Sequence, residues 1–225
     1  MEYNSTYYEG HYGRLLGDDH YFNVRTLYWK HAITAVQVVP EDSLVLDYGC
    51  GTGQVSMAFP NVHFYDTSEF SRDLIKQKGK VVYRDDAEIP AGKFDFVLSS
   101  HALEHSPRPF EDLQNFRRFV KPTGQLLLIL PIERKFQKTL KVDDNNHLYC
   151  WTFQTICNLL YATGWKPMVQ TYIYDSFGLG SFSKVLPPQK AVSLSWRLGR
   201  LKRGFQSIMV VASFDKDWNV GQSSS

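Results

Sequence analysis

The run DYGCGTG, from Asp47 to Gly53, constrains the fold of this chain more than any other segment. Three glycines stand at alternate positions just after the apolar residues Leu44, Val45 and Leu46, which predicts a tight turn at the end of a buried strand. Because glycine has no side chain, a ligand can approach the backbone of such a turn closely. The run therefore predicts a site for a nucleoside-bearing cofactor.

The spacing of the glycines distinguishes between two cofactor classes. A dinucleotide fingerprint that starts at Gly49 requires a third glycine at position 54, where this chain has Gln54. Asp47, just before the turn, attracts an ammonium group and repels a pyrophosphate. Asp66 ends the next apolar run, at the spacing expected for a carboxylate that binds a ribose. Together these features favour S-adenosylmethionine over NAD.

From Leu44 to Met168 the chain resembles the class I S-adenosylmethionine-dependent methyltransferases, specifically their type 11-like domain. Five segments match the family's motifs in the family's order: DYGCGTG, FYDTSEF, RDDAEIP, FDFVLSSHALEHSPRP and RRFVKPTGQLLLILP. The resemblance implies an α/β, Rossmann-like fold. Its sheet has seven mostly parallel strands with an antiparallel end pair, and helices cover both faces.

Apolar runs and helical periodicity predict where the elements lie. Parallel strands are predicted at Leu44–Tyr48, Val62–Tyr65, Val81–Tyr83, Phe94–Ser99 and Gln125–Leu130, helices at Pro109–Val120 and Thr152–Ala162, and the antiparallel pair at Met168–Tyr174 and Ser207–Ser213. Between Gly53 and Pro60 there is room for about two helical turns. The helix that normally follows the glycine turn is therefore expected to be short.

The whole chain, residues 1–225, is predicted to form one methyltransferase domain in four parts. These are a helical N-terminal cap (1–40) with an amphipathic helix ending near Pro40, a cofactor-binding core (41–174), a basic helical insertion (175–206), and the last strand with a tail (207–225). In the insertion, a helix over 188–203 places Ala191, Leu194, Leu198 and Leu201 on one face. Two interpretations stay open: contact with an anionic membrane, a nucleic acid or an acidic acceptor, and a solvated helix that covers the sheet edge.

The resemblance assigns the cofactor contacts residue by residue. It implies that Asp47 and the turn backbone hold the methionine part, that Asp66 binds both ribose hydroxyls, and that Asp86 with the Ala87 N–H binds adenine. Asp85 stands directly before Asp86, so it stays open which of these two carboxylates contacts adenine. The full predicted set is Asp47, Gly49, Cys50, Gly51, Gly53, Asp66, Thr67, Asp86, Ala87, Ser99, Ser100 and His101, of which the last three line the floor beneath the sulfonium.

Methyl transfer depends mainly on alignment, and a base is needed only for a poor nucleophile such as an alcohol. His147 and His105 are the candidate bases, since imidazole titrates near neutral pH. A structural role stays open for His105, which can cap or brace its loop. For His147, substrate binding and anchoring of its loop stay open. Candidate substrate-binding residues with aromatic or hydrogen-bonding side chains are Tyr8, His11, Tyr12, Tyr149 and Trp151, which suit a polyhydroxylated acceptor.

Charge, hydropathy and cysteine content argue against a nucleic-acid-binding protein, a membrane-spanning protein and a disulfide-stabilised protein. A formal net charge of +2 disfavours a broad nucleic-acid footprint. No apolar stretch is long enough to span a bilayer and no N-terminal signal is recognisable, so a cytoplasmic protein is expected. The three cysteines lack paired spacing, so neither a disulfide framework nor a metal site is predicted, and Cys50 is interpreted as a small packing residue.

These observations predict an enzyme that methylates an oxygen atom of a small-molecule or sugar-like acceptor. One alternative is an N-methyltransferase or an RNA methyltransferase, with the basic helix guiding the acceptor. Another is a regulatory protein that binds S-adenosylmethionine without turnover. A monomer and a homodimer both stay open.

Overall fold

The computed structural model describes residues 3–132, 145–215 and 218, and its strands form a single seven-stranded sheet. The strands are β1 Leu44–Tyr48, β2 Asn61–Tyr65, β3 Val81–Tyr83, β4 Phe94–Ser100, β5 Val120–Pro131, β6 Trp165–Tyr174 and β7 Phe205–Phe214. Their order across the sheet is β3-β2-β1-β4-β5-β7-β6. The pairs from β3 to β5 are parallel, whereas β7 is antiparallel to both β5 and β6. The predicted Rossmann-like sheet is confirmed.

Helices cover both faces of this sheet. Within the described ranges they are α1 Ser5–Gly17, α2 Asp19–Thr34, α3 Glu69–Gln77, α4 Pro109–Phe119, α5 Phe153–Ala162, α6 Leu179–Phe182 and α7 Pro188–Leu201. Trp29 of α2 and Val192 of α7 belong to the core on one face, and Phe116 of α4 and Leu160 of α5 to the core on the other. Each such buried side chain contributes about 1.5–3 kcal/mol by leaving water. None of these helices combines the length and the apolar character needed to cross a bilayer.

The parallel part of the sheet positions the loops that carry the predicted site. The central strands are nearly continuous apolar runs, because helices cover both of their faces. Since parallel strands have their carboxyl ends at the same edge of a sheet, the loops after β1, β2 and β4 meet there. Gly49, Asp66 and His101 lie in these three loops, which is where ligands bind in open α/β sheets.

The cap consists of two helices, α1 and α2, where the sequence predicted one amphipathic helix within the cap. Asp18 separates α1 from α2, because its side chain accepts a hydrogen bond from the N–H of Tyr21 at 2.9 Å and so caps the start of α2. α2 then ends at Thr34, before the end expected near Pro40. The break places α1 across the edge of the sheet that carries the site.

The short helix expected after the glycine turn is replaced by consecutive turns over residues 51–60. One i→i−4 bond forms there, from the N–H of Met57 to the carbonyl of Gly53 at 3.0 Å. Val55 and Phe59 are buried in the core, so the segment packs without extending into a helix. Pro60 then interrupts it, and β2 begins at the next residue.

The packing face of α7 differs from the predicted apolar face. Ala191, Ser195 and Gly199 are buried and stand four residues apart, so they form one face of the helix against α2 and β6. Leu194 and Leu201 are 36% and 79% exposed. The small residues let α7 approach its neighbours closely. Of the predicted face, Ala191 is buried and Leu198 is partly buried, whereas Leu194 and Leu201 face solvent together with the basic residues.

Candidate active site

The glycine turn requires glycine both for its conformation and for space. Gly49, Gly51 and Gly53 have φ values of 77°, 52° and 75°, which side chains rarely adopt. A Cβ on Gly53 would lie 2.6 Å from Cδ1 of Ile75, and a Cβ on Gly49 would lie 2.5 Å from the Cβ of Ala102. Gly49 and Gly53 therefore leave no room for a Cβ unless a neighbour moves, whereas Gly51, whose Cβ would lie 3.8 Å from the ring of Tyr8, requires glycine for its conformation alone.

Asp66 joins the glycine turn to the loop after β2. Its Oδ2 accepts a hydrogen bond from the N–H of Gly51 at 2.8 Å, and its Oδ1 accepts one from the N–H of Ser68 at 2.8 Å. Burial raises the pKa of this carboxyl, and the hydrogen bonds from Ser68 and Gly51 oppose that shift. Since each carboxylate oxygen has two lone pairs, Asp66 retains the capacity to accept ribose hydroxyls.

Asp47 lies beneath the turn and is 1% exposed. Its Oδ2 accepts a hydrogen bond from Oγ of Ser56 at 2.5 Å, whereas its Oδ1 is buried and accepts none from the residues that the structure describes. Burial raises the pKa of Asp47 to about 7. A buried acceptor without a donor is costly, and a ligand ammonium would offset that cost. The residues present thus fit the methionine end of S-adenosylmethionine.

The two groups predicted to contact adenine are already hydrogen-bonded within the protein. Oδ2 of Asp86 accepts a hydrogen bond from Nδ2 of Asn115 at 2.9 Å. The N–H of Ala87 donates to Oδ1 of Asp85 at 2.9 Å. Adenine would have to share or replace these bonds, so the two assignments stay predictions.

A cavity of about 510 Å³ lies between the glycine turn, the carboxyl end of β4 and α1. Its volume is in the range of small-molecule sites. The predicted site residues that line it are Tyr8, His11, Tyr12, Gly49, Cys50, Gly51, Asp66, Thr67, Ser100, His101, His105 and His147. The structure therefore brings most of the predicted cofactor, substrate and catalytic residues together at one site.

The remaining predicted residues do not line the cavity. These are Asp47, Gly53, Asp86, Ala87, Ser99, Tyr149 and Trp151. Ser99 is buried within β4. Tyr149 and Trp151 stack on each other with ring centroids 5.4 Å apart, and Trp151 packs against the apolar core.

The cap contributes lining residues that the predicted set did not include: Tyr3, Tyr7, Arg25 and Trp29. Tyr3 makes an edge contact with His105, with centroids 5.6 Å apart. Burial raises the pKa of Tyr7 to about 12, so its phenol is a neutral hydrogen-bonding group near pH 7. Four tyrosines between residues 3 and 12 were the signal in the sequence for this lining.

Glu104 is a fully buried carboxylate in the cavity wall, with three imidazoles around it. Its Oε1 lies 3.8 Å from Nδ1 of His101, 3.9 Å from Nε2 of His105 and 4.0 Å from Nε2 of His147. Sequence reasoning missed Glu104, although it stands beside His105 in the fourth motif. His101, whose Nε2 is 2.9 Å from Oγ of Ser207, has its pKa lowered by burial to about 4.

Residues 24–171 match the sequence model of a family described as a methyltransferase domain. This chain belongs to that family. The match runs from α2 to β6 and includes the glycine turn, Asp66 and the Glu104 region. It confirms the resemblance to the class I methyltransferases, which rested on five motifs in the sequence.

Relatives and fold neighbours agree with this assignment. The chain is 37% identical over 98 residues to the ubiquinone biosynthesis O-methyltransferase of Dechloromonas aromatica, covering 37% of this chain and 42% of that protein. It is 24% identical over 126 residues to the tRNA (carboxymethyluridine(34)-5-O)-methyltransferase of Schizosaccharomyces pombe, covering 54% of each. The chain thus spans about half the length, or less, of these relatives. A solved S-adenosylmethionine-dependent methyltransferase of Thermotoga maritima shares the fold, with a TM-score of 0.64, 14% identity and coverage of 94% of this chain and 99% of that chain.

Proposed function

We propose that this chain transfers a methyl group from S-adenosylmethionine to an oxygen atom of a small-molecule or sugar-like acceptor. The observation that carries this proposal is that the glycine turn and the Glu104 carboxylate with its histidines open onto the same cavity. When bound, S-adenosylmethionine supplies a sulfonium methyl that the acceptor oxygen takes, while the C–S electron pair returns to sulfur and the hydroxyl proton leaves. The Dechloromonas aromatica relative, by its name, is an O-methyltransferase.

The residues of the turn hold the donor end of the cavity. Asp47 offers a buried carboxylate to the methionine ammonium, and Asp66 is fixed for the ribose by the N–H groups of Gly51 and Ser68. Asp47 is the fourth residue of β1, and Asp66 directly follows β2. Such preorganised groups restrict the orientation of the donor, which is the main requirement for methyl transfer.

The acceptor end of the cavity suits a polar, neutral molecule. Tyr7, Tyr12 and His11 supply phenol and imidazole groups on α1, opposite the histidines after β4. Hydroxyl groups of a sugar-like acceptor can donate to and accept from such side chains. The aromatic rings also offer apolar faces on which a sugar ring packs.

The cluster of Glu104, His105 and His147 handles the proton of the acceptor hydroxyl. A neutral imidazole can accept that proton, and a buried carboxylate beside it stabilises the imidazolium that forms. A bound cation can instead lower the pKa of the hydroxyl. Both routes use the same three side chains.

The proposal is tested with labelled S-adenosylmethionine and a panel of hydroxylated metabolites from the source cell. We expect one labelled product whose NMR spectrum shows a methoxy group. His147→Ala should lower turnover by about 100-fold or more, while calorimetry shows unchanged affinity for S-adenosylmethionine. His63→Ala, on the far side of β2 from the cavity, is the matched control and should retain wild-type turnover. Transfer of the label to nitrogen or carbon contradicts the proposal.

RNA is a second candidate acceptor, because the Schizosaccharomyces pombe relative is by its name a tRNA methyltransferase. The exposed basic side chains of α7 and the residues after it offer a surface for phosphates: Lys190, Arg197, Arg200, Lys202 and Arg203. Filter binding of RNA that weakens steeply with salt favours this candidate. Charge reversal at Arg197 and Arg200 should then lower RNA affinity without changing transfer to a small hydroxylated acceptor.

A regulatory protein without turnover would give a third result. Calorimetry would show binding of S-adenosylmethionine, and no fraction of the metabolite or RNA pools would gain label. Mixing the protein with S-adenosylmethionine and each pool separately distinguishes this case from both enzymatic candidates.

A further inference from the structure

Three side chains in the cavity wall place metal-binding atoms close together. One carboxylate oxygen of Glu104 and one ring nitrogen each of His105 and His147 lie within 4.8 Å of one another. Glu104 is fully buried, and the side chains of His105 and His147 are 16% and 14% exposed. From this arrangement we propose that Glu104, His105 and His147 bind a divalent transition-metal ion that faces the acceptor.

The backbone holds two distant parts of the chain in this arrangement. The carbonyl of Glu104 accepts hydrogen bonds from the N–H groups of Leu148, at 2.8 Å, and Tyr149, at 3.3 Å. These bonds bring the loop that carries His147 against the short helical turn that carries Glu104 and His105. The three side chains are thus positioned by main-chain contacts on both sides of the cluster.

A further contact orients the ring of His105 for ligation. Its Nδ1 lies 3.2 Å from the carbonyl oxygen of Asn146, which can only accept, so Nδ1 donates this hydrogen bond. Nε2 is the atom that lies 3.9 Å from Oε1 of Glu104. Hydrogen bonding of the outer ring nitrogen to a carbonyl is the usual arrangement of a histidine that binds a metal.

The distances fit a cation better than direct hydrogen bonds between the three side chains. The separations of 3.9 Å and 4.0 Å from Oε1 of Glu104 exceed the range of about 2.7–3.2 Å for N–H···O bonds. Ligand distances of about 2.0–2.2 Å around a metal ion place neighbouring donors about 3–3.5 Å apart. The three donors lie up to 4.8 Å apart, so side-chain rotations that shorten these separations to about 3–3.5 Å would complete the site.

Two imidazoles and one carboxylate favour a borderline transition-metal ion. Imidazole is a preferred ligand of zinc, iron, nickel and copper, whereas magnesium and calcium prefer oxygen ligands alone. Two histidines and one glutamate are also the protein ligands of several catalytic zinc sites, which keep an open position. In this chain the open positions would face the cavity.

The role of this ion rests on the proposed function. An acceptor hydroxyl at an open position of the ion would lose its proton to water at neutral pH, because a bound cation lowers the pKa of an oxygen ligand. The resulting oxygen anion is the nucleophile for the methyl group. His147 then acts as a ligand, which differs from the general base that the sequence alone suggested.

Binding is tested on the full chain after treatment with a chelator, without any acceptor. Titration with Co²⁺, followed by its visible absorption, and calorimetry with Zn²⁺ should each show one site per chain. His147→Gln and Glu104→Gln should weaken Zn²⁺ binding by about 10-fold to 100-fold or more. His63→Gln and Cys150→Ser are the controls and should bind as the wild type does. If Glu104→Gln does not fold, His147→Gln alone decides.

The outcomes separate this inference from the proposed function. Equal Zn²⁺ affinity of the wild type and His147→Gln, or no Co²⁺ signal from the chelated wild type, overturns the metal site. O-methyl transfer at full rate by the chelated protein overturns the role of the ion in the reaction and leaves His147 as the base. One bound ion that is lost in His147→Gln, with no transfer to any hydroxyl, supports the site and overturns the proposed function instead.

Discussion

The hydroxyl of Ser56 donates a hydrogen bond of 2.5 Å to the carboxylate of Asp47, and both side chains are buried beneath the glycine turn. Burial raises the pKa of Asp47 to about 7, the hydrogen bond from Ser56 opposes this shift, and the charge of Asp66 adds to it. The folded protein therefore holds a proton on Asp47 that the unfolded chain releases at lower pH. Binding of a ligand ammonium beside Asp47 would favour the ionised form.

The first prediction concerns the pH dependence of stability. Because folding raises the pKa of Asp47 from 3.8 to about 7, its contribution to the free energy of unfolding decreases as pH rises through that window. Asp47→Asn removes this contribution. Relative to the wild type, the variant should gain at most about 1.4 kcal/mol of stability per pH unit between pH 5 and pH 7. Urea unfolding at both pH values measures the difference, and an equal difference at the two values contradicts the prediction.

The second prediction separates backbone strain from steric clash in the glycine turn. Gly49 and Gly79 have similar φ values of 77° and 69°, but a Cβ on Gly49 would lie 2.5 Å from the Cβ of Ala102, whereas a Cβ on Gly79 meets nothing within 4 Å. Gly79→Ala should cost about 1 kcal/mol, and Gly49→Ala about 2–4 kcal/mol. Thermal unfolding of the two variants makes the comparison. Equal losses in both would show that the turn has room for a side chain.

The sequence predicted the parallel half of the sheet well, because its signals are local. The glycine turn, the apolar run of β1 and the carboxylate after β2 each need particular residue types at fixed spacing, and all lie where the motifs placed them. The bounds of β5, β6 and β7 differ from the predicted ones by a few residues. Strand ends depend on pairing with neighbours such as β4, which a single sequence does not specify.

The parts that could not be predicted depend on contacts between distant residues. Glu104 and His147 meet because the N–H of Leu148 donates to the carbonyl of Glu104, and no local pattern encodes that bond. The packing face of α7 was missed for a related reason. Leucine spacing indicates an apolar stripe, but close approach of a helix selects small residues such as Ser195 and Gly199.

The third prediction tests the ribose assignment of Asp66. Asp66→Ala removes the acceptor of two backbone N–H groups, from Gly51 and Ser68, together with the oxygens available to a ribose. Loss of hydrogen bonds to a charged group costs about 1.5–3 kcal/mol each. Affinity for S-adenosylmethionine, measured by calorimetry, should therefore fall by about 10-fold or more. Asp73→Ala, at an exposed position of α3, is the control, and unchanged affinity in Asp66→Ala removes the assignment.

The fourth prediction concerns the docking of α7. A Cβ on Gly199 would lie 2.3 Å from the carbonyl oxygen of Asp175 and 3.3 Å from the Cβ of Tyr174, so Gly199→Ala must push the helix away from β6. The expected cost is about 2–3 kcal/mol, as for other overpacked sites. Leu201 is 79% exposed, and Leu201→Ala should change stability by less than about 0.5 kcal/mol.

Urea unfolding of the Gly199→Ala and Leu201→Ala variants distinguishes the observed packing of α7 from packing through its leucines. The first variant removes no apolar surface and the second removes a large side chain, so burial of the leucine face would give the opposite order. A larger loss of stability in Leu201→Ala than in Gly199→Ala would mean that Leu201 packs in the core. The expected order instead follows from the small residues, which alone allow α7 to approach the backbone of Asp175.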